Sequence, residues 1–263
     1  MINLRLLFMK KYFKYIILIF IFYNNVFAGI DFSLFLHNDG NVSILNKSIN
    51  SQDYLKDVYE YVYWSAGVLS EIGYNFKFDN KYINSLSVVG TIGYMASTLP
   101  LEYNIDLYGI GRFYEITFLH TLTTGVSIKI INNVTNYNLS YSIGIGGGVK
   151  TPFSGNVISQ LASTDESFLT GKDEYNYNDM KNVFKSVVIP YIKLDINLYY
   201  HLTKNVSFLA GIYFNYNFAF KYNTDYINNY FMNYMGYKVL DKLEISGFSI
   251  GLSLGFAIRD NGY

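Results

Sequence analysis

The sequence predicts an all-β fold: a closed antiparallel eight-stranded transmembrane β-barrel of up-and-down topology. Three observations predict it. Apolar residues recur at every second position through most of the chain, and the links between these alternating segments are short and long in turn. The apolar parity is bulky and aromatic, whereas the opposite parity is rich in Gly and Ser.

Composition agrees and excludes several functions. The 263 residues carry 20 Lys+Arg and 20 Asp+Glu, a charged fraction of 15% against roughly a quarter in average proteins, and 19% are aromatic. A formal net charge of zero offers no basic face for nucleic acid. The absence of Cys excludes disulfides, thiolate metal ligation, a Cys nucleophile and a lipid-modified Cys. No cofactor is expected. Gly144-Ile145-Gly146-Gly147-Gly148 lies in an alternating segment and lacks the Lys-Ser/Thr end and helix of a phosphate loop.

The first element is a targeting segment. Residues 1–14 carry Arg5, Lys10, Lys11 and Lys14 without an acid, Tyr15–Tyr23 is apolar, and Val26-Phe27-Ala28 supplies a small-residue end. That order describes a secretory signal peptide over 1–28, cut after Ala28, and its core is shorter than the roughly 20 residues of a membrane helix.

The barrel then occupies 29–263, with strands expected at about 29–38, 63–78, 84–96, 106–120, 124–148, 184–200, 205–222 and 245–258. In 63–78 the even positions read Trp64, Ala66, Val68, Ser70, Ile72, Tyr74, Phe76 and Phe78, and in 247–258 Phe248, Ile250, Leu252, Leu254, Phe256 and Ile258 oppose Gly and Ser. The segment 124–148 changes phase near Asn132–Asn136, through a bulge in one strand or a separate hairpin that would make nine. Links at Asp79–Ile83, Thr121–Thr123 and His201–Lys204 are short; those at 39–62, 97–105, 149–183 and 223–244 are long. Short periplasmic turns and long extracellular loops are the asymmetry of an outer-membrane barrel. Pro190 falls near the loop rim, where a missing ladder donor is tolerated.

Face chemistry sets the orientation. The aromatic parity faces lipid, and the Gly/Ser parity fills a narrow lumen. Girdles are expected from Tyr74, Phe76, Phe78, Phe118 and Tyr200 at the turn end, and from Tyr94, Tyr216, Tyr222 and Phe248 at the loop end. The rival is a soluble eight-stranded barrel with the aromatic parity inward around an apolar ligand, which would expose mid-strand glycines to water.

The lumen parity carries Asp31, Glu71, Lys77, Glu115, Lys129, Lys193, Asp195 and Lys221. If Thr121–Thr123 is a turn, Glu115 opposes Lys129, so an inward Glu115–Lys129 pair is expected. Arg112, on the lipid parity near the loop end, is expected to snorkel. Of three His, His120 and His201 fall beside expected turns and His37 at the outer rim near Asp39 and Ser43. Catalysis there would need His37 within reach of both a Ser hydroxyl and a carboxylate. Asp165, Glu166, Asp173, Glu174 and Asp179 make one loop acidic without an EF-hand spacing, and no metal site is expected. Residues 222–237 are mostly Tyr and Asn, which makes Tyr226, Tyr230, Phe231 and Tyr234 candidates for surface contact.

Taken over 29–263, this pattern of periodicity resembles the bacterial eight-stranded outer-membrane β-barrel superfamily, of the outer-membrane protein A, X and W type. The resemblance implies the outer membrane of a diderm bacterium, contact with outer-membrane lipid and glycolipid, and insertion by the barrel-assembly machinery. It implies a non-enzymatic protein whose loops serve adhesion, recognition of a host or cell-surface ligand, or envelope integrity. A narrow porin-like transporter of small solutes is the alternative, and a lipid A-modifying enzyme the third reading.

Overall fold

The computed structural model describes residues 28–49, 55–60, 62–78, 83–107, 110–134, 137–163, 167–175, 182–226, 228–229 and 238–259. The expected signal peptide, apart from Ala28, lies outside them. Ten strands are present among the described residues: β1 Ala28–Ile49, β2 Leu55–Glu60, β3 Tyr63–Lys77, β4 Ser85–Leu107, β5 Ile110–Val134, β6 Leu139–Ser163, β7 Ser167–Tyr175, β8 Ile189–His201, β9 Val206–Lys221 and β10 Leu240–Arg259. Eight close a ring through antiparallel pairs β1–β3, β3–β4, β4–β5, β5–β6, β6–β8, β8–β9, β9–β10 and β10–β1. β2 adds to β4, and β7 to β6, outside the ring. Ring closure leaves no unpaired edge at membrane depth, the condition for backbone in hydrocarbon.

Two expected boundaries are corrected. Thr121–Thr123 is not a turn: β5 runs straight through it, with Thr121 paired to Met95 and Pro152 and Thr123 to Gly93 and Lys150. The physical reason lies in the residues. Thr is β-branched and suits a strand, and the outward even parity (Ile116, Phe118, Leu122, Val126, Ile128, Ile130) is never broken there. The phase change at 132–136 is a hairpin instead, with Tyr137 N–H donating to Val134 O at 3.2 Å. The ring still has eight strands, because the turn lost at Thr121–Thr123 is offset by the hairpin gained between β5 and β6; β4 and β5 meet through Leu107↔Ile110 and absorb the expected loop at 97–105. The loops expected at 39–62, 149–183 and 223–244 likewise give way in part to strand: β1 runs to Ile49, β6 to Ser163 and β10 starts at Leu240.

The longest strands outrun a membrane. β4, β5 and β6 have 23, 25 and 25 residues, whereas a tilted strand crosses a bilayer in about 9–11. Their far halves therefore form a sheet beyond the lipid, at the end away from the short turns.

The filled lumen as candidate functional site

Orientation is settled by burial. Phe214, Ile250 and Leu254 are 43%, 56% and 51% exposed on the outer face, whereas Ser253 is buried. A Cβ added to Gly251 would meet the Tyr213 ring at 2.5 Å, inside the barrel. An apolar belt of this kind encircles all eight ring strands, with Leu36, Ile72, Ile92, Val126, Ile145, Ile196, Ile212 and Leu252 among its members. Exposed apolar area on this scale requires a non-aqueous solvent. The chain is a membrane-spanning β-barrel. Among the described residues no helix is long and apolar enough to cross; the strands do so.

Inside, small residues stand beside long charged ones. Lys129 pairs in register with Gly144 and Ser87, and Lys193 with Gly146 and Asn215. A Cβ on Gly144 would meet the Asp195 carboxylate at 2.7 Å and Lys129 Cγ at 2.9 Å, so the charge cluster needs Gly there. Glu71 of β3 is the hub. It bonds Lys129, which reaches over β4, and accepts from Lys193 Nζ at 3.1 Å; all three side chains are at most 7% exposed. Lys193 also lies 3.4 Å from Asp195, and Asn197 Nδ2 donates to Asp195 Oδ1 at 2.6 Å. Nearer the turn end, Arg259 donates to Asp31 at 2.9 and 3.1 Å and lies over the Tyr199 ring at 4.6 Å, while Ser87 donates to the same carboxylate. Toward the loop end, His37 stacks on Tyr213 at 4.0 Å, and Asp39 accepts from Tyr213 at 2.9 Å and Asn41 at 2.7 Å.

Above this polar column the chemistry inverts. Leu99, Leu101, Tyr103, Phe113, Leu119, Phe220, Leu240, Leu243 and Ile245 point inward and pack with Leu55 and Val58 of β2 and with Val183 and Phe184. Outside them stand exposed Asn46, Ser48, Arg112 and Lys242. Apolar-in and polar-out is the pattern of a sheet in water, so the inversion marks where the strands leave lipid. In β9 the switch is made by a bulge: Asn217 pairs with Gly247 but Phe220 with Ile245, so Phe218 and Ala219 are both exposed and the phase shifts. Phe220 and Tyr222 thereby enter the plug, and Lys221 turns to solvent, 3.4 Å from Glu244. Tyr222 is therefore core rather than girdle. Glu60 of β2 flanks the plug, and burial lifts its carboxyl to about 7.

Of the residues singled out in the sequence, Asp31, Glu71, Lys193 and Asp195 all lie in the lumen column. Glu115 and Lys129 do not pair: both lie on β5, fourteen positions apart, with Glu115 opposite Leu101 and Ser159 and bonded by Thr117 Oγ1 at 3.4 Å. The assumed turn between them does not exist. For the same reason Phe118 and His120 lie high on β5, not beside a turn; His120 faces outward, its Nδ1 2.5 Å from the Tyr94 hydroxyl. His201 is at the turn end, 2.8 Å from Ser207 Oγ. His37 has no Ser hydroxyl or carboxylate in hydrogen-bond contact among the described residues. Arg112 is exposed and lies 3.4 Å from Glu102. Tyr226 is exposed in a short helical turn whose base is clamped by Asn228, which accepts from Val239 and Leu240 N–H at 2.9 Å each. Tyr230, Phe231 and Tyr234 lie outside the described residues, as do the side chains of the acidic segment 165–179. Arg259 is a column member that the sequence reading misses, although its parity with Gly255 and Ala257 points it inward.

No family model matches the chain, and no curated protein matches it in sequence. Among solved structures it is similar to the outer membrane protein OprG from Pseudomonas aeruginosa, at 10% identity and TM-score 0.48 over 90% of this chain and 97% of that one. It is also similar to Neisserial surface protein A, at 11% identity and TM-score 0.27 over 84% and 96% of the two chains. The outer membrane protease OmpT from Escherichia coli gives 9% identity and TM-score 0.32 over 90% and 97%.

Proposed function

We propose that this chain is a non-enzymatic, non-conducting outer-membrane barrel of a diderm bacterium, whose work is done by the sheet and loops that stand beyond the lipid. One observation carries the reading: the lumen is closed twice, by the Glu71–Lys129–Lys193 column at membrane depth and by the apolar plug around Leu101, Tyr103 and Leu240 above it. An eight-stranded interior is filled by side chains alone. In this reading the end bearing the start of β1, the close of β10 and the short turns faces the periplasm, and the segment around Tyr226, Tyr230, Phe231 and Tyr234 forms a contact surface for a neighbouring cell or host matrix. Tyr and Asn supply rigid amphipathic area and adaptable hydrogen bonds for such contact. Glycolipid and lipid are the partners of the belt, and the barrel-assembly machinery inserts it.

Planar-bilayer recording separates this from the transporter alternative. The purified barrel is expected to leave the bilayer at its bare conductance. Stable single-channel steps at neutral pH would favour the narrow transporter and contradict the double closure.

A further inference from the structure

Two acidic residues enter the apolar plug without a cation. Glu60 of β2 and Glu115 of β5 both pair in register with Leu101 of β4. Directly opposed residues share a face, so both side chains flank the inward Leu101, with Cα atoms two strand spacings, about 10 Å, apart. Both Glu60 oxygens are shielded from solvent and lack a hydrogen-bond partner among the described residues. Glu115 accepts from Thr117 Oγ1 at 3.4 Å. The groups that face the two acids from neighbouring elements are Ser43 of β1, Tyr63 of β3, Tyr103 of β4 and Tyr222 beyond β9, with Asp39 of β1 near Tyr63. None of these is a cation. Around the plug Lys47 pairs with Asp57, Arg112 with Glu102, and Lys221 and Lys242 with Glu244. Glu71 in the column below, by contrast, has both Lys129 and Lys193.

A carboxylate in apolar surroundings without a cation is costly, and the neutral acid is the cheaper state there. Burial lifts Glu115, on the part of β5 beyond the lipid, to about 7, as it does Glu60. The two differ in their freedom to escape. Glu115 sits in a strand paired on both sides, whereas β2 is a six-residue strand added to one edge of β4 outside the ring. We propose that β2 is a pH-operated latch on the plug: it stays docked while Glu60 and Glu115 are protonated, and swings Glu60 into water when both ionise. Ionisation sets two like charges beside Leu101, and moving β2 relieves them without breaking the ring. The Lys47–Asp57 ion pair tethers β2, so the Glu60 end is the part that gives. The sign follows from the docked acids holding their protons more tightly than acids in water. The latch is at full strength below about 4.3, weakens as pH rises, and has lost its advantage above about 7. The column keeps its own ion pairs, so the lumen stays blocked at membrane depth and the latch acts on the plug alone.

Local opening is read by amide hydrogen exchange, expressed as protection factors so that the intrinsic effect of pH cancels. The test compares the full chain in detergent micelles at about pH 5.5 and about pH 8.5. Protection of the β2 amides is expected to fall at least about tenfold between the two, while β3 around Glu71 and β8 around Lys193 hold theirs. Glu60→Gln/Glu115→Gln is expected to keep β2 protected at both values. Protection of β2 that does not change with pH, a fall shared equally by the column strands, or a fall that survives the double substitution would overturn the latch. Should the double variant fail to fold, carboxyl carbon shifts of the unaltered protein decide. Titration of Glu60 and Glu115 near about 7 supports the latch, and titration of both near the ordinary value of about 4.3 removes it.

Discussion

Glu71→Gln is expected to destabilise the barrel by about 3–5 kcal/mol, the cost of leaving buried charge uncompensated. The substitution keeps volume and removes only the charge that serves both Lys129 and Lys193. Lys193 retains Asp195 at 3.4 Å, so most of the loss falls on Lys129. The double variant Glu71→Gln/Lys129→Met removes both members of the closer pair and is expected to cost clearly less than the sum of the two single changes, with a coupling of about 0.5–3 kcal/mol. Urea titration of the barrel in bilayers, read by the mobility shift between folded and unfolded forms, measures all three. Additive losses would mean that the column is a set of independent polar contacts and not one network.

The second large effect concerns the outer face. Leu252→Arg places a charge near the middle of the apolar belt and is expected to cost about 2–4 kcal/mol, while a charge near an interface costs about 0–1 kcal/mol. Asn46→Arg supplies that control, because Asn46 is exposed on β1 above the point where the faces invert. The same titration in bilayers reads both. A neutral Leu252→Arg would place that face in water and revive the soluble barrel with an inward ligand.

How much of this structure was legible in the sequence depends on the range of the interaction. Alternation assigns a side chain to a face using only its neighbours, and for Phe214, Ile250, Leu252 and Ser253 the faces are those the parity gives. It also puts Glu71 and Lys193 inside. It does not say which charges meet, because Lys129 reaches Glu71 across β4, past small Ser87, and no local spacing encodes that crossing. The Glu115–Lys129 expectation failed because it rested on a turn at Thr121–Thr123, where two Thr and a Leu carry no turn chemistry and the even parity continues on both sides. The plug was hidden for a different reason. Leu99, Leu101 and Tyr103 sit on the lumen parity, and apolar residues there read as loop only while the solvent is assumed constant along the strand. Once strands outrun the bilayer, the apolar parity must change sides, and the bulge at Phe218–Ala219 is the local device that makes the change in β9.

Contact between one parity and acyl chains underlies the orientation of every strand. Solid-state NMR of the barrel in bilayers, with magnetisation transferred from lipid acyl protons to protein side chains, reads that contact directly. Transfer is expected to the side chains of Phe214, Leu252 and Leu254 and to be absent at Ser249 and Ser253. Strong transfer to the two serines, with Phe214 and Leu254 silent, would contradict the orientation and every reading built on it.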